Sequence, residues 1–299
     1  MKVLICDPTD PDALETIAEA GIKVVDHSDI TAEELLTEIP EYHCMVVRSR
    51  TKVRKAAIDK AINLKAIVRA GVGLDNIDVE YAQSKGIEVL NTPSASTDAV
   101  AELTIGYLFA LARRIPQMTV SMKAGEWAKK SFLGNELAGK TLGIIGPGRI
   151  GLAVAQRANA MGMTVISYYY GEKEAKGVEF VSLDELFARS DYISLHVPHK
   201  ESTHNILDAN AFEKVKDGVC IINCGRGGTL DEDALYKAIQ SGKVAGAALD
   251  VYAAEPSKGH KLHSLNEVIG SPHIGAGTIE AKKRVGEVAA QKVISALST

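Results

Sequence analysis

The sequence predicts an α/β protein with two doubly wound parallel-sheet domains, on three observations. Short β-rich apolar runs alternate with helix-like stretches, the alternation breaks once near residues 97–139 and then restarts, and 299 residues suffice for about two domains at roughly 100–200 residues each. With 46% hydrophobic and 24% charged residues, the composition is that of a globular chain, and each domain is large enough to bury a core without disulfides or a structural metal. Lys+Arg number 34 against 38 Asp+Glu, a net charge of −4, which gives no electrostatic reason to expect nucleic acid or an anionic membrane as the partner.

In the first part of the chain, strands are expected at residues 3–6, 24–25, 45–47, 67–68 and 87–90, with helices at 12–20, 31–39 and 56–61. A long helix follows from Thr97 to Ile115, opened by Thr97 and Asp98 and closed by Arg113, Arg114 and Pro116. Val100, Leu103, Ile105, Tyr107, Leu108, Phe109 and Leu111 make it apolar almost all round, so it is expected to be buried on several sides, joining the domains and packing against a second subunit. Residues 125–139 form a polar connection.

Beyond it, strands are expected at 142–145, 164–168, 180–181, 193–195, 219–222, 245–249 and 268–270. One intervening helix carries a Ser182-x-x-Glu185 capping box, one is opened by Asp231, and a last helix runs from Thr278 to about Leu297. The longest uncharged helix-like run, residues 103–112, is far below the ~20 needed to span a bilayer. The start of the chain reads as a strand and not as a signal peptide, so a cytoplasmic location is expected. Cys6, Cys44, Cys220 and Cys224 include no C-x-x-C pair and read as buried, inert thiols. No Cys/His/Asp cluster has zinc spacing, so no metal is expected.

The strand at 142–145 runs into Gly146-Pro147-Gly148-Arg149-Ile150-Gly151 and then into a helical pattern at 152–161. Strand, glycines and helix in this order suit a nicotinamide dinucleotide. Gly146 permits the turn, Gly148 lets the backbone approach the pyrophosphate, Gly151 lets helix and strand pack, and the helix N-terminus offers N–H groups to phosphate. The acid expected at the end of the second strand, as partner of the ribose hydroxyls, is missing; the segment reads Ser167-Tyr168-Tyr169-Tyr170-Gly171-Glu172-Lys173. Without an arginine there NAD is favoured over NADP, with Tyr hydroxyls or Glu172 as ribose partners; Lys173 and Lys176 leave NADP open.

Three later segments each place a polar residue just past a buried strand, where open parallel sheets build their sites: Asn223-Cys224-Gly225-Arg226-Gly227, Leu249-Asp250-Val251 leading to Glu255-Pro256, and Ser271-Pro272-His273-Ile274-Gly275. Oxidising a secondary alcohol beside a carboxylate needs a base for the O–H proton, a fixed cation and a carboxylate that tunes the base. His273, Arg226 and Glu255 are of those types. His196 and His199 read as structural or cofactor-adjacent, and His260 and His263 as exposed.

The ordered set Gly-x-Gly-x-x-Gly, Asn-x-x-Arg-Gly, Leu-Asp-Val-x-x-x-Glu-Pro and Pro-His-Ile-Gly resembles the D-2-hydroxyacid dehydrogenase family over essentially the whole chain. Arg48-Ser49-Arg50-Thr51, Arg69-Ala70-Gly71-Val72-Gly73 and Asn91-Thr92-Pro93 resemble most the phosphoglycerate-oxidising branch. The resemblance implies that Arg226, Glu255 and His273 are catalytic and that the Gly71–Gly73 amides help hold the substrate carboxylate. It also implies that Thr97, Arg149, Ile150, Pro198, Thr203, Cys224 and Asp250 line the cofactor, with Asp250 near the carboxamide. Arg48, Ser49, Arg50 and Lys129 are expected near a substrate phosphate.

The expected organisation is a flavodoxin-like substrate-binding domain, residues 1–96 with 275–299, and a Rossmann-type cofactor domain, residues 97–274. The expected reaction is oxidation of D-3-phosphoglycerate to 3-phosphohydroxypyruvate, the first step of serine synthesis. Glyoxylate or hydroxypyruvate reduction is the alternative, since the same triad serves any 2-keto acid. A homodimer is expected, and since the given chain stops at Thr299 a form without the family's serine-binding extension is expected as well.

Overall fold

Each apolar run read as a strand forms one in the computed structural model, which describes residues 1–171 and 174–298. The chain divides into two units, Met1–Ser96 with Ala276–Thr299, and Thr97–Gly275.

The first unit runs β1 (Lys2–Ile5), α1 (Pro11–Glu19), β2 (Lys23–Asp26), α2 (Ala32–Glu38), β3 (Cys44–Val47), α3 (Lys55–Lys60), β4 (Ala66–Arg69), α4 (Val79–Ser84) and β5 (Glu88–Asn91). Its sheet is parallel throughout, in the order β2-β1-β3-β4-β5. Side chains alternate across a strand, and here both faces are apolar. Leu4, Met45, Val47 and Ile67 pack on one side with Ile39 and Ile58. Val3, Ile5, Val46 and Val68 pack on the other with Ile17 and with Val285, Ala289 and Val293 of the C-terminal helix, Ile279–Leu297. Asp10 caps α1, while Thr31 and Glu34 form a complete capping box on α2. The helix α4, not expected from the sequence, has no side-chain cap and buries only Ala82.

The second unit runs α5 (Thr97–Arg113), α6 (Ile115–Lys123), β6 (Thr141–Ile145), α7 (Arg149–Ala160), β7 (Thr164–Tyr168), β8 (Glu179–Phe180), α8 (Leu183–Arg189), β9 (Tyr192–Leu195), α9 (Ala209–Lys214), β10 (Val219–Asn223), α10 (Glu232–Gln240), β11 (Val244–Leu249) and β12 (Val268–Gly270). The order β12-β11-β10-β9-β6-β7-β8, all parallel, is the Rossmann arrangement with one further strand. Ile145, Ile193, Leu195, Ile221 and Leu249 face one core; Leu142, Ile144, Tyr192, Ile222 and Ala248 face the other, with α5 and α7.

The helix expected over 97–115 stops two residues early. Arg114 takes a left-handed conformation, φ 51°, and Pro116 sits in the first turn of a second helix, where its missing N–H costs nothing. The proline read as a terminator is an initiator. The helix α5 buries Val100, Tyr107, Leu108 and Ala112 and leaves Phe109 43% exposed. Ser182 accepts from the Glu185 amide, so the expected capping box is present in its N-cap half. All four cysteines are free and buried, and burial pushes the thiols of Cys44 and Cys224 up to about 12 and that of Cys220 to about 11, which makes them inert. Among the described residues no helix is long and apolar enough to cross a membrane.

In a doubly wound sheet the crevice for ligands opens at the carboxyl ends of the strands where the order reverses. That point lies between β1 and β3 in the first unit and between β6 and β9 in the second.

Candidate active site

The turn after β6 fits a dinucleotide phosphate. Gly146 has φ 98°, and a Cβ there would stand 2.8 Å from the His196 carbonyl, at the end of the neighbouring β9. A Cβ on Gly151 would lie 2.4 Å from the Gly146 carbonyl oxygen, so helix and strand approach as only glycine allows. Gly148, by contrast, is exposed and a Cβ there would meet nothing within 4 Å, which leaves its backbone open to a ligand. It is also the N-cap of α7 and supplies no side-chain cap, so no capping side chain covers the first turn, where Arg149 is exposed and Ile150 half-buried.

Past β7, Tyr169 takes the position where an acid was expected and is 46% exposed. Tyr168 and Tyr170 meet edge to face at 5.1 Å, and Tyr170 donates to the Ser202 carbonyl at 3.2 Å, tying this segment to the loop after β9. Glu172, the alternative ribose partner, and Lys173, which with Lys176 left NADP open, lie outside the described residues. In that loop Thr203 is buried and donates to the Pro198 carbonyl at 2.6 Å, so its hydroxyl closes the loop that exposes Pro198. Thr97 opens α5, and its buried hydroxyl makes no hydrogen bond among the described residues.

His196, read as structural or cofactor-adjacent, shares a 2.8 Å hydrogen bond with the fully buried Ser194 through Nε2, while its buried Nδ1 has no hydrogen-bond partner among the described residues. Burial lowers its pKa from 6.5 to about 4. Between those two values the unfolded chain binds the proton and the folded chain does not, so stability falls as pH drops through that window. The full effect is about 3 kcal/mol at one pKa unit per 1.36 kcal/mol. Urea unfolding at pH 7 and pH 4 is expected to show this loss, with His196→Gln losing less over the same interval; an equal loss in both proteins refutes the assignment.

Arg226 is presented by a turn that Asn223 closes. The Asn223 side chain accepts from the Gly225 amide at 3.0 Å and donates to the Arg226 carbonyl at 3.1 Å, and Thr229 donates to the same carbonyl at 2.7 Å. Asn223 and Thr229 are buried, so the turn is fixed. Behind it Gly227 packs directly on the next strand-end loop, where a Cβ would fall 1.8 Å from the Tyr252 carbonyl oxygen. Cys224 is buried among the apolar side chains below.

Glu255 and His273 meet: Glu255 Oε2 lies 2.7 Å from His273 Nδ1, and Glu255 Oε1 accepts from the Tyr252 amide at 3.1 Å. Both side chains are partly exposed, so the pair faces outward with Nε2, the other ring nitrogen, available. His273 has φ 54°, a left-handed conformation uncommon for a side chain of this size. Asp250, 1% exposed, holds that loop. Its Oδ1 accepts from the Ile274 amide and Oδ2 from the Gly275 amide, both at 2.8 Å, and Ser271 donates to Oδ1. His260 is not exposed as expected: it is half-buried and paired with Glu232 at 3.1 Å, which also accepts from the Ala253 amide in the Glu255 loop. His263 is exposed.

In the first unit the strand-end loops carry the other predicted residues. After β3, Arg48 and Thr51 donate their amides to the buried Asp7, and Asn76 donates to both their carbonyls. Ser49 is exposed between them. Arg50 is not offered to a ligand: its guanidinium pairs with Asp7 at 3.0 Å and donates to the carbonyls of Cys6, Ser28 and Ile30, which makes it a strut. After β4, Asn91 donates to the Val72 carbonyl and the Thr92 amide to that of Gly71, holding the Gly71-Val72-Gly73 turn. Arg69, part of a motif in the sequence but given no role there, lies over Gly71, its Nη1 1.5 Å from where a Cβ would stand. Lys129 is exposed in a 3-10 turn of the second unit, Lys129–Ser131, and among the described residues makes no ion pair.

Residues 105–275 match the sequence family described as D-isomer specific 2-hydroxyacid dehydrogenase, NAD binding domain. The chain belongs to this family. It is 49% identical over 300 residues to a hydroxypyruvate reductase of Thermotoga maritima, covering 99% of this chain and 98% of that one. It is also 49% identical to a D-3-phosphoglycerate dehydrogenase of Methanocaldococcus jannaschii, covering 98% of this chain but 57% of the relative. The Aquifex aeolicus D-lactate dehydrogenase, solved with NAD and lactic acid, superposes with a TM-score of 0.88 at 32% identity, covering 100% of this chain and 96% of that one. This 2-hydroxyacid dehydrogenase is therefore an NAD-linked oxidoreductase with two parallel-sheet α/β units.

Proposed function

We propose that this dehydrogenase oxidises D-3-phosphoglycerate to 3-phosphohydroxypyruvate with NAD, a cytoplasmic first step of serine synthesis. The observation that carries the chemistry is the Glu255–His273 pair, 2.7 Å between Oε2 and Nδ1. With Nδ1–H held by Glu255, the neutral ring has its lone pair on Nε2 and accepts the C2 hydroxyl proton, while Glu255 supports the imidazolium formed. Arg226 binds the substrate carboxylate with its planar fork, helped by the Gly71, Val72 and Gly73 amides. NAD, when bound, would supply the acceptor for the hydride from C2.

The finer roles follow the same reading. Gly146, Gly148, Arg149, Ile150 and Gly151 take the pyrophosphate, Tyr169 the ribose, and Thr97, Pro198, Thr203, Cys224 and Asp250 line the remainder of the cofactor. Residues 1–96 and 275–299 bind substrate and residues 97–274 bind the dinucleotide. Arg48, Ser49, Arg69 and Lys129 supply contacts for the substrate phosphate; two of the three cations, Arg48 and Arg69, stand at the carboxyl ends of parallel strands. A homodimer through the α5–α6 region covers the exposed apolar side chains of Phe109, Ile115, Val120, Met122 and Trp127. Sedimentation equilibrium is expected at twice the chain mass, and a monomer at micromolar concentration excludes this.

The specificity test is NAD reduction with D-3-phosphoglycerate beside D-glycerate. Turnover of the phosphorylated acid alone supports the proposal, and equal rates remove it. The second reading, hydroxypyruvate reduction, is favoured by the Thermotoga maritima relative, which matches over 98% of its own length.

A further inference from the structure

Most polar groups around His273 are explained by the pairing already described, but one chain of hydroxyls is not. Tyr107, in the middle of α5, is 7% exposed and donates to Ser271 Oγ at 2.5 Å; Ser271 in turn donates to Asp250 Oδ1. Asp250 holds the amides of Ile274 and Gly275, the two residues that follow His273. An unbroken run of hydrogen bonds therefore links a helix on one face of the sheet to the loop beyond β12. Burial pushes the Tyr107 phenol up to about 12, although its bond to Ser271 acts the other way, so the O–H is intact as a donor at neutral pH.

A serine hydroxyl can point its single proton in several directions. With Tyr107 donating into its oxygen, Ser271 keeps its own proton for Asp250. The carboxylate is then fixed by three donors on two oxygens. The loop needs this because His273 is held at φ 54°, a strained conformation that persists only where its surroundings over-determine it.

We propose that Tyr107 and Ser271 are positioning residues that act through Asp250 to hold the His273 loop in its left-handed conformation and so aim the imidazole. The inference rests on the reading of His273 as the acid/base. Tyr107→Phe removes one oxygen and leaves the packing of the ring intact. It is expected to lower kcat about tenfold, the worth of one ordinary hydrogen bond, with the Kd for NADH within about twofold of wild type. Ser271→Ala is expected to do the same or somewhat more, and the double variant to be no slower than Ser271→Ala alone, because the two act in series.

The experiment is steady-state kinetics and NADH titration on wild type, the two single variants and the double variant, with circular-dichroism melting to confirm that each is folded. Unchanged kcat in folded Tyr107→Phe, or multiplying effects in the double variant, overturns the proposal. A lower melting temperature with unchanged kcat means that the hydroxyls only stabilise the fold, which also overturns it. His273→Asn, run alongside, separates the two levels: if it keeps its activity, the reading of the base is wrong; if it is inactive while Tyr107→Phe is not, only the positioning role is lost.

Discussion

His273→Asn is expected to lower kcat by about 10²–10⁴-fold, the usual contribution of a positioned general acid–base, and to leave the Kd for NADH nearly unchanged. Asparagine is the informative replacement because it tolerates the left-handed backbone at φ 54° better than most side chains, so the Asp250-held loop keeps its shape while the titrating ring is lost. Glu255→Gln is expected to cost less, because the amide still accepts a hydrogen bond from Nδ1–H but carries no charge to support the imidazolium. Stopped-flow or steady-state rates with direct cofactor titration check both. Near-parent turnover of the His273 variant would mean that another group moves the proton.

Arg226→Lys is expected to lower kcat/KM for the keto acid about 10²-fold, or about 3 kcal/mol, with little change in cofactor affinity. Lysine keeps the charge but loses the fork that engages a carboxylate through two parallel bonds. The turn around it is closed by Asn223 and Thr229 through the backbone of residue 226, contacts that the substitution leaves in place, while the guanidinium's own bond to the Gly225 carbonyl is lost with the fork. A loss confined to KM would assign Arg226 to uniform binding of the ground state, and a loss shared with kcat assigns it to orienting C2 in the transition state.

Much of this was legible in the sequence because its signals are local. Strand runs buried on both faces, such as 44–47 and 219–222, are short continuous apolar stretches, and their length separates them from the longer apolar run of α5. The glycines at 146, 148 and 151 announce their turn through their spacing between an apolar strand run and a helical pattern. What escaped notice depends on partners distant in sequence. Arg50 reads as an available cation until Asp7 and three carbonyls are found around it. His260 reads as exposed until Glu232 is placed beside it. Asn223 belonged to a recognised motif, yet its task of closing the Arg226 turn emerges only from the direction of its amide. The split between α5 and α6 was missed for a different reason: proline marks both the end of one helix and the first turn of another, and the left-handed Arg114 that decides between them leaves no mark in composition.

The measurement that bears most directly on the central claim is the initial rate of NADH oxidation with 3-phosphohydroxypyruvate beside hydroxypyruvate and glyoxylate at matched concentrations. The account predicts a kcat/KM at least about 10²-fold higher for the phosphorylated keto acid, as expected when cations bind a phosphate that the smaller acids lack. Equal or higher kcat/KM with hydroxypyruvate or glyoxylate would contradict it and make the enzyme a reductase of the unphosphorylated acids.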